Sequence, residues 1–277
     1  NMYKIAAEQL PCVFDVSART VATHALNIFG DHSDVYACRQ TGFAMLCETN
    51  PQEVMDLSPV AHLAALEGKV PFINFFDGFR TSHEIQKIEK WDYEDLKEMC
   101  PMEAVEEFRK HALNPERPTM RGSHENGDIF FQHREACNTA YDELPAVVEK
   151  YMGKINEKLG TNYDLFNYYG DPEADRVIIA MGSINDRTKD PGALADPLYL
   201  DVATTLREAG LNDITLCGGR YGLGSKDTPP SSVFAVYTEL LKDEPKPRFT
   251  IGIVDDVTNL SLPEVKPAPN TSTPGTV

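Results

Sequence analysis

Apolar runs of strand length alternate with amphipathic stretches of helix length along most of the chain, and this alternation predicts an α/β fold. The short apolar run at 71–76 suits a covered strand. The run at 176–182 is continuously apolar, as in strands of a parallel sheet that is covered on both faces. Shorter strands are predicted at 10–18, at 34–38, at 213–217 and over the alternating residues Phe249, Ile251 and Ile253.

Helix signals are strongest where a capping residue precedes an apolar stripe. Asn50 is placed to cap a helix whose first turn holds Pro51, and a second amphipathic helix at 144–159 ends at Gly160. Further helices are predicted at 92–113 with an interruption at Pro101, at 197–210, and at 230–241 with Val233, Phe234, Val236, Tyr237 and Leu240 on the inner face.

The segment at 75–89 joins a strand to a helix. Asp77 and Gly78 form the turn, and Thr81 and Glu84 have the spacing of a capping box. A strand that passes into a capped helix through a turn presents polar groups at the carboxyl end of a sheet. We therefore predict a helix that starts at Thr81.

The composition restricts the classes of partner. The 277 residues suffice for one large or two ordinary domains, and the formal charge is −17 with an isoelectric point near 4.8. Without a stripe of Lys and Arg, binding to a phosphate backbone is disfavoured, so nucleic acid is excluded as a partner. No apolar run approaches the roughly 20 residues of a membrane helix, so no membrane partner is expected. We expect a cytoplasmic protein without a signal peptide.

Cysteine and histidine spacing argues against metal sites. The six cysteines are far apart, and none forms the C-x-x-C pair that iron–sulfur clusters and zinc sites use. A chain of this size without disulfide-dense spacing is expected to keep its thiols reduced. The seven histidines are dispersed without ligand spacing. No metal site is predicted on this chain.

Seven long motifs carry a resemblance to a known family. The chain resembles pyruvate:ferredoxin (flavodoxin) oxidoreductase in LNIFGDHSDVYACRQTGFAML at 26–46, VAHLAAL at 60–66, FFDGFRTSHEIQKIE at 75–89, DRTKDPGA at 186–193, DPLYLDV at 196–202, GGRYGLGSKD at 218–227 and GIVDDVT at 252–258. The resemblance covers nearly the whole chain.

The resemblance implies a parent enzyme that oxidatively decarboxylates pyruvate to acetyl-CoA. It implies thiamine diphosphate, Mg²⁺, [4Fe–4S] clusters and coenzyme A as cofactors of that parent, with none bound by this chain alone. Ferredoxin or flavodoxin would accept the electrons, and the rest of the same polypeptide and a second copy would complete a homodimer. The isolated chain is expected to be inactive. A related 2-oxoacid:ferredoxin oxidoreductase is an alternative parent.

The resemblance also implies two incomplete parallel-sheet domains. Residues 1–162 correspond to part of a pyrimidine-type thiamine-diphosphate-binding domain, residues 163–259 to a transketolase C-terminal-like domain, and residues 260–277 to an irregular tail. Family members continue after the equivalent of Ile184 for more than a βαβ unit, roughly 30 residues or more, before they reach the equivalent of Asn185. We predict a missing segment after residue 184.

Arg19 is the one candidate site residue. It follows a predicted strand and matches the arginine that in the family holds the pyruvate carboxylate, a task that suits a planar guanidinium. From the residues alone, a structural ion pair is the other interpretation. Arg39 and Arg80 are interpreted as structural. No cofactor-binding residue is assigned.

The glycine-rich stretch at 218–225 has two interpretations. Its backbone N–H groups could approach a phosphate, but it lacks the Walker ending and fits G-x-G-x-x-G imperfectly. A tight structural turn or an inter-domain contact is the favoured interpretation.

Two functions from different classes follow. The chain is part of the thiamine-dependent oxidoreductase, or it is a noncatalytic fragment or binding module that kept the fold. The family's activating glutamate and the early threonine of its substrate pocket would distinguish the two, and both would lie before Asn1.

Overall fold

The computed structural model describes residues 1–119, 122–180 and 187–264. The chain divides into two compact units. Unit 1 consists of Asn1–Ala18 and Ala37–Glu173, and unit 2 of Arg19–Tyr36 and Ala174–Val277. Each unit combines helices with a parallel sheet, which confirms the predicted α/β class. The predicted domain boundary after residue 162 stays a prediction.

The elements of the described residues are numbered in chain order. The strands are β1 (Val13–Ala18), β2 (Ala44–Glu48), β3 (Phe72–Asp77), β4 (Gly218–Arg220) and β5 (Arg248–Thr250). The helices are α1 (Met2–Ala7), α2 (Ser33–Tyr36), α3 (Pro51–Gly68), α4 (Arg80–His83), α5 (Tyr93–Met99), α6 (Met102–Lys110), α7 (Gly127–Ala136), α8 (Asn138–Leu159), α9 (Pro197–Glu208) and α10 (Pro230–Leu240). Among them, none has the length and apolar character of a membrane span.

The sheet of unit 1 has β3 in the middle, parallel to β1 on one side and to β2 on the other. In this register Asn74 of β3 pairs with Asp15 of β1 and with Leu46 of β2, and Glu48 pairs with Phe76. Since side chains alternate between the two faces of a strand, Asp15, Asn74 and Glu48 all lie on one face. The strands predicted at 10–18 and 71–76 are thereby confirmed.

Helix α3 covers that face, and its cap is the predicted one. The Asn50 side-chain oxygen accepts hydrogen bonds from the backbone N–H groups of Gln52 and Glu53, each at 3.0 Å, and Pro51 occupies the first turn. These bonds satisfy two of the N–H groups that a helix start leaves without partners.

The core of unit 1 forms where α3 and α8 pack together. Burial of each large apolar side chain contributes about 1.5–3 kcal/mol, so this contact is the main source of stability in the unit. Helix α8 ends at Gly160, whose φ of 70° is left-handed, as the sequence predicted. The buried residues of the contact include Leu57, Val60, Ala64, Val148, Tyr151 and Ile155.

The predicted capping box at Thr81 is wrong. The Thr81 hydroxyl donates to the backbone oxygen of Thr49 instead, at 3.1 Å. Asp77 starts the turn, because its Oδ1 accepts from the backbone N–H groups of Phe79 and Arg80 at 2.8 and 2.6 Å. The resulting helix α4 is only one turn long, because the Asp77 carboxylate at the end of β3 accepts hydrogen bonds from the backbone N–H groups that precede Thr81.

The strand predicted at 34–38 is also wrong, because helix α2 occupies that place. The Asp31 carboxylate accepts a hydrogen bond from the Ser33 backbone N–H at 3.0 Å, a local contact that favours a helical turn over an extended chain.

Unit 2 is built on a two-stranded parallel sheet of β4 and β5. Phe249 and Ile251 are buried as predicted, whereas Ile253 is half exposed. The small core of unit 2 consists of Phe249 and Ile251 together with Tyr221, Ala235 and Leu262.

Two strands predicted for unit 2 are absent from its described residues. The stretch 177–180 is not a strand, and Val177, Ile178 and Ile179 are 55%, 38% and 45% exposed. The stretch 213–217 forms no strand either. Both stretches line a hollow of about 1070 Å³ within unit 2. An apolar run needs neighbouring strands to become a buried strand, and no strand in the described part of unit 2 pairs with either stretch. The predicted junction at 184–185 lies outside the described residues.

Helix α10 confirms the predicted helix at 230–241 but not its inner face. Phe234 and Tyr237 are about half exposed, while Ser232, Ala235 and Glu239 are buried. The Glu239 carboxylate accepts from Lys242 Nζ at 2.5 Å and from the Lys246 backbone N–H at 2.8 Å. These two bonds keep the Glu239 side chain, near the C-terminal end of α10, buried within unit 2.

Candidate functional site

Arg19 directly follows strand β1 in the chain and is exposed. Its backbone N–H donates to Asp34 Oδ2 at 2.9 Å, and one guanidinium nitrogen donates to the Ile28 carbonyl at 3.0 Å. A guanidinium carries five N–H donors, so this single bond orients the side chain and leaves donors for a second acceptor. Among the described residues, Arg19 is thus held by Asp34 at its backbone and by Ile28 at its side chain.

Asp34 supports this anchor as a partly buried carboxyl group. Burial raises the pKa of Asp34, although the backbone N–H groups of Arg19 and Val35 oppose the change. Both hydrogen bonds are made to its side-chain oxygens, at 2.9 and 2.7 Å.

The chain after Arg19 is folded by its own side chains. The Thr20 hydroxyl donates to the Asn27 carbonyl at 2.7 Å, and Asn27 Oδ1 accepts from the Phe29 N–H at 2.9 Å. These two bonds close the segment on itself, which fixes the carbonyl of Ile28 that holds the Arg19 side chain.

Arg187 joins this segment to the glycine-rich stretch inside unit 2. Its guanidinium donates to the Gly30 carbonyl at 2.6 Å, to Ser225 Oγ at 2.8 Å and to the Gly222 carbonyl at 3.1 Å. The Arg187 carbonyl accepts from the His32 N–H at 2.9 Å. Arg187 was not predicted, because its partners at 222–225 are distant in the chain and only the fold brings them together.

The glycine-rich stretch is a tight turn whose donors are engaged. Gly222 and Gly224 have left-handed φ angles of 66° and 59°, and a side chain at Gly224 would collide with that of Asn27. The Gly224 N–H, which a phosphate would need, donates to Asp31 Oδ2 at 3.0 Å. A carboxylate at this place favours the structural interpretation over a phosphate site.

Unit 1 carries a polar cluster that the sequence analysis missed. Asn74 is fully buried, and its side-chain nitrogen donates to Asp15 Oδ1 and to Ser58 Oγ, each at 2.9 Å. Glu48 is only 2% exposed, and burial, with a smaller effect of the Asp15 charge, raises its pKa to about 9. A polar residue within the apolar run of β3 was the available signal.

The other two arginines considered in the sequence both belong to unit 1. Arg39 begins a short 3₁₀ turn, and exposed Arg80 begins α4, both in unit 1. In the part of the chain that the structure describes, no group of three or more His, Cys, Asp or Glu side chains is placed to hold a metal ion. The six cysteines all lie in the described residues, and none of them forms a disulfide.

Residues 1–153 match the family described as pyruvate flavodoxin/ferredoxin oxidoreductase, thiamine diphosphate-binding. The chain belongs to this family. The resemblance seen in the seven motifs is thereby confirmed, and the matched part contains all of β1–β3 and most of α8.

Relatives within the oxidoreductase family are similar over the whole chain. The pyruvate-flavodoxin oxidoreductase of Enterobacter agglomerans and the pyruvate:ferredoxin oxidoreductase of Moorella thermoacetica are each 48% identical to all of it. The NADP⁺-dependent pyruvate dehydrogenase of Cryptosporidium parvum is 41% identical over 95% of it. The chain spans 28%, 27% and 16% of the lengths of these three proteins.

The alignment lengths show that the relatives carry more residues. The alignment with the Enterobacter enzyme spans 323 positions against the 277 residues of this chain, a difference of 46. At least 46 of its positions therefore have no counterpart here. This number exceeds the roughly 30 residues of a βαβ unit.

Proposed function

We propose that this chain is part of an enzyme that oxidatively decarboxylates pyruvate to acetyl-CoA and passes the electrons to ferredoxin or flavodoxin. The observation that carries the proposal is the 48% identity to two such oxidoreductases over all 277 residues. The proposal includes the Mg²⁺, iron–sulfur clusters and coenzyme A of the parent enzyme, its homodimeric assembly and a cytoplasmic location.

Within this enzyme, Arg19 is proposed to bind the pyruvate carboxylate. Its guanidinium is exposed, and the carbonyl of Ile28 is the one acceptor that binds it among the residues the structure describes, which leaves a planar fork of donors for a carboxylate. A carboxylate accepts two parallel N–H bonds from such a fork, which fixes the orientation as well as the position of the substrate. Arg19 would therefore orient pyruvate without taking part in bond breaking.

Thiamine diphosphate is the cofactor in the family description, and we assign none of the described residues to it. The glycine-rich turn has its Gly224 N–H bound to Asp31, and the described side chains offer no metal-holding group for the diphosphate. We therefore derive no step through the cofactor. The proposal assigns cofactor contacts to other parts of the enzyme.

Replacement of Arg19 in the complete enzyme tests the proposal. Arg19→Ala should raise the KM for pyruvate about 30-fold to several thousand-fold, because the loss of a charge-assisted pair to a desolvated carboxylate costs about 2–5 kcal/mol. Retention of thiamine diphosphate should be unchanged. Arg80→Ala removes the same charge from another exposed position and is the matched control. Equal pyruvate kinetics for Arg19→Ala and the unsubstituted enzyme would remove Arg19 from the site.

The alternative function is a noncatalytic module that kept the fold. The difference of at least 46 residues from the relatives and the open hollow in unit 2 favour it. Under this alternative, the complete polypeptide would show no turnover of pyruvate with any electron acceptor.

A further inference from the structure

Glu48 ends strand β2 with a carboxyl group that is sealed from water. The residue is 2% exposed, and neither of its side-chain oxygens has a hydrogen-bond partner among the described residues. An ionised carboxylate needs donors for its oxygens, and leaving it buried without them carries a large free-energy cost.

Asn74 is the neutral polar side chain that contacts Glu48, and this contact lowers the Glu48 pKa by less than burial raises it. Its amide nitrogen has two hydrogens, which go to Asp15 Oδ1 and Ser58 Oγ at 2.9 Å each. The Asn74 side-chain oxygen is buried and also lacks a donor. Glu48 and Asn74 are therefore neighbouring side chains that each have a buried acceptor without a donor among the described residues, and one hydrogen would satisfy both.

The surrounding charges oppose ionisation of Glu48. The charged groups that act on it are Asp15 from β1 and Glu53 from α3, and both are acidic. His62 of α3 is 3.9 Å from Asp15 Oδ2, so its imidazole faces Asp15. Two negative neighbours and a sealed position both favour the neutral acid.

We propose that Glu48 is a neutral carboxylic acid in the folded chain and donates its proton to the Asn74 side-chain oxygen. This bond locks β2 to β3 at the carboxyl end of the sheet. Asn74 already binds Asp15 of β1 and Ser58 of α3, so one amide then connects all three strands and the helix that covers them. Loss of the Glu48 proton at alkaline pH breaks this hydrogen bond between β2 and β3.

Carbon-13 spectroscopy of the carboxyl groups tests the proposal on the complete, unsubstituted 277-residue chain. The Glu48 carboxyl carbon should show the chemical shift of a protonated acid at pH 7 and should titrate near pH 9. Glu53 is the internal control, because its carboxylate accepts two hydrogen bonds from Thr49, at 2.8 and 2.6 Å. An ionised Glu48 at pH 7 would overturn the proposal.

Substitution gives a second, independent measurement. Glu48→Gln keeps the size of the side chain and adds an amide donor that does not titrate. In the Glu48→Gln variant, the amides of β2 and β3 should be protected from hydrogen exchange equally at about pH 7 and above pH 9. In the unsubstituted chain, protection of the same amides should be lower above pH 9 than at about pH 7, by about tenfold or more. Both comparisons use exchange rates corrected for the intrinsic pH dependence of exchange. Equal loss in both proteins would contradict the lock. If Glu48→Gln fails to fold, the carbon-13 titration of the unsubstituted chain decides alone.

Discussion

The Glu67 carboxylate accepts hydrogen bonds from Lys150 Nζ at 2.6 Å and from the Tyr151 hydroxyl at 2.5 Å. Burial by itself would raise the pKa of Glu67, but these two donors outweigh it and lower the pKa. The same contact raises the pKa of Tyr151, whose burial acts in the same direction. This environment is the reverse of the one around Glu48, although both glutamates belong to unit 1.

The two glutamates should therefore give opposite dependences of stability on pH. A lowered pKa gives Glu67 a stabilising contribution above its unfolded pKa of about 4.3, which is lost as the pH falls through its folded pKa. We expect Glu67→Gln to lower the free energy of unfolding by about 1 kcal/mol at pH 7 and by almost nothing near pH 3.

Urea denaturation at the two pH values measures the effect of Glu67→Gln. Glu94→Gln is the control, because Glu94 pairs with Lys97 in an exposed contact and its loss should be nearly neutral. A cost of Glu67→Gln that is equal at both pH values would show that packing, not charge, is responsible.

At the residue scale, helix caps could be predicted from neighbouring residues in the sequence, whereas the burial of single polar side chains could not. Asn50 and Gly160 were predicted correctly because a cap depends on neighbours within four residues. Arg19 could be selected by its motif. Glu48 and Asn74 were missed, because their importance depends on Asp15 and Ser58, which are distant in the chain.

At the scale of the single element, helix α8 contains two glycines with opposite requirements. Gly153 lies in its interior and is exposed, whereas Gly160 ends it with a φ of 70°. A Cβ at either position would meet no atom within 4 Å, so only the backbone decides the effect.

The two substitutions to alanine should have opposite signs. Gly153→Ala should stabilise the chain by about 0.5–1 kcal/mol, because alanine loses less backbone entropy in a helix. Gly160→Ala should destabilise it by about 1 kcal/mol, because alanine is strained in the left-handed region. Thermal unfolding of the pair measures the difference, and a shift of the same sign in both variants would contradict it.

Elements were predicted correctly where the signal is contained in the element itself. Helix α3 combines a cap, a proline and an apolar stripe, and β3 comes from a short apolar run. The strand predicted at 34–38 became a helix through Asp31, and the runs at 177–180 and 213–217 pair with no strand among the described residues. A strand is completed by its neighbours, which a run of residues cannot reveal.

For the whole molecule, we expect the isolated chain to be catalytically silent. Catalysis needs cofactors and positioned groups together, and this chain spans 28% of the length of the Enterobacter relative. The measurement is turnover of pyruvate by the purified chain with an artificial electron acceptor and added thiamine diphosphate. Any turnover above that of the Arg19→Ala control would contradict the expectation.

The hollow of unit 2 should close when the residues that relatives carry are supplied. We expect insertion of the corresponding segment of the Enterobacter enzyme between residues 184 and 185 to cover Val177 and Ile179. Binding of a hydrophobic dye should then fall several-fold. A Gly-Ser insertion of equal length is the control, and equal dye binding by the two insertions would contradict the placement of the segment after residue 184.

The same hollow affects how the molecule responds to temperature. Apolar surface that is already hydrated in the folded state adds nothing to the heat capacity of unfolding. Unit 2 should therefore have a smaller heat-capacity change of unfolding per residue than unit 1, in which α3 and α8 bury their apolar surfaces against each other. Its curve of stability against temperature should therefore be flatter, so a change of temperature should alter the stability of unit 2 less than that of unit 1.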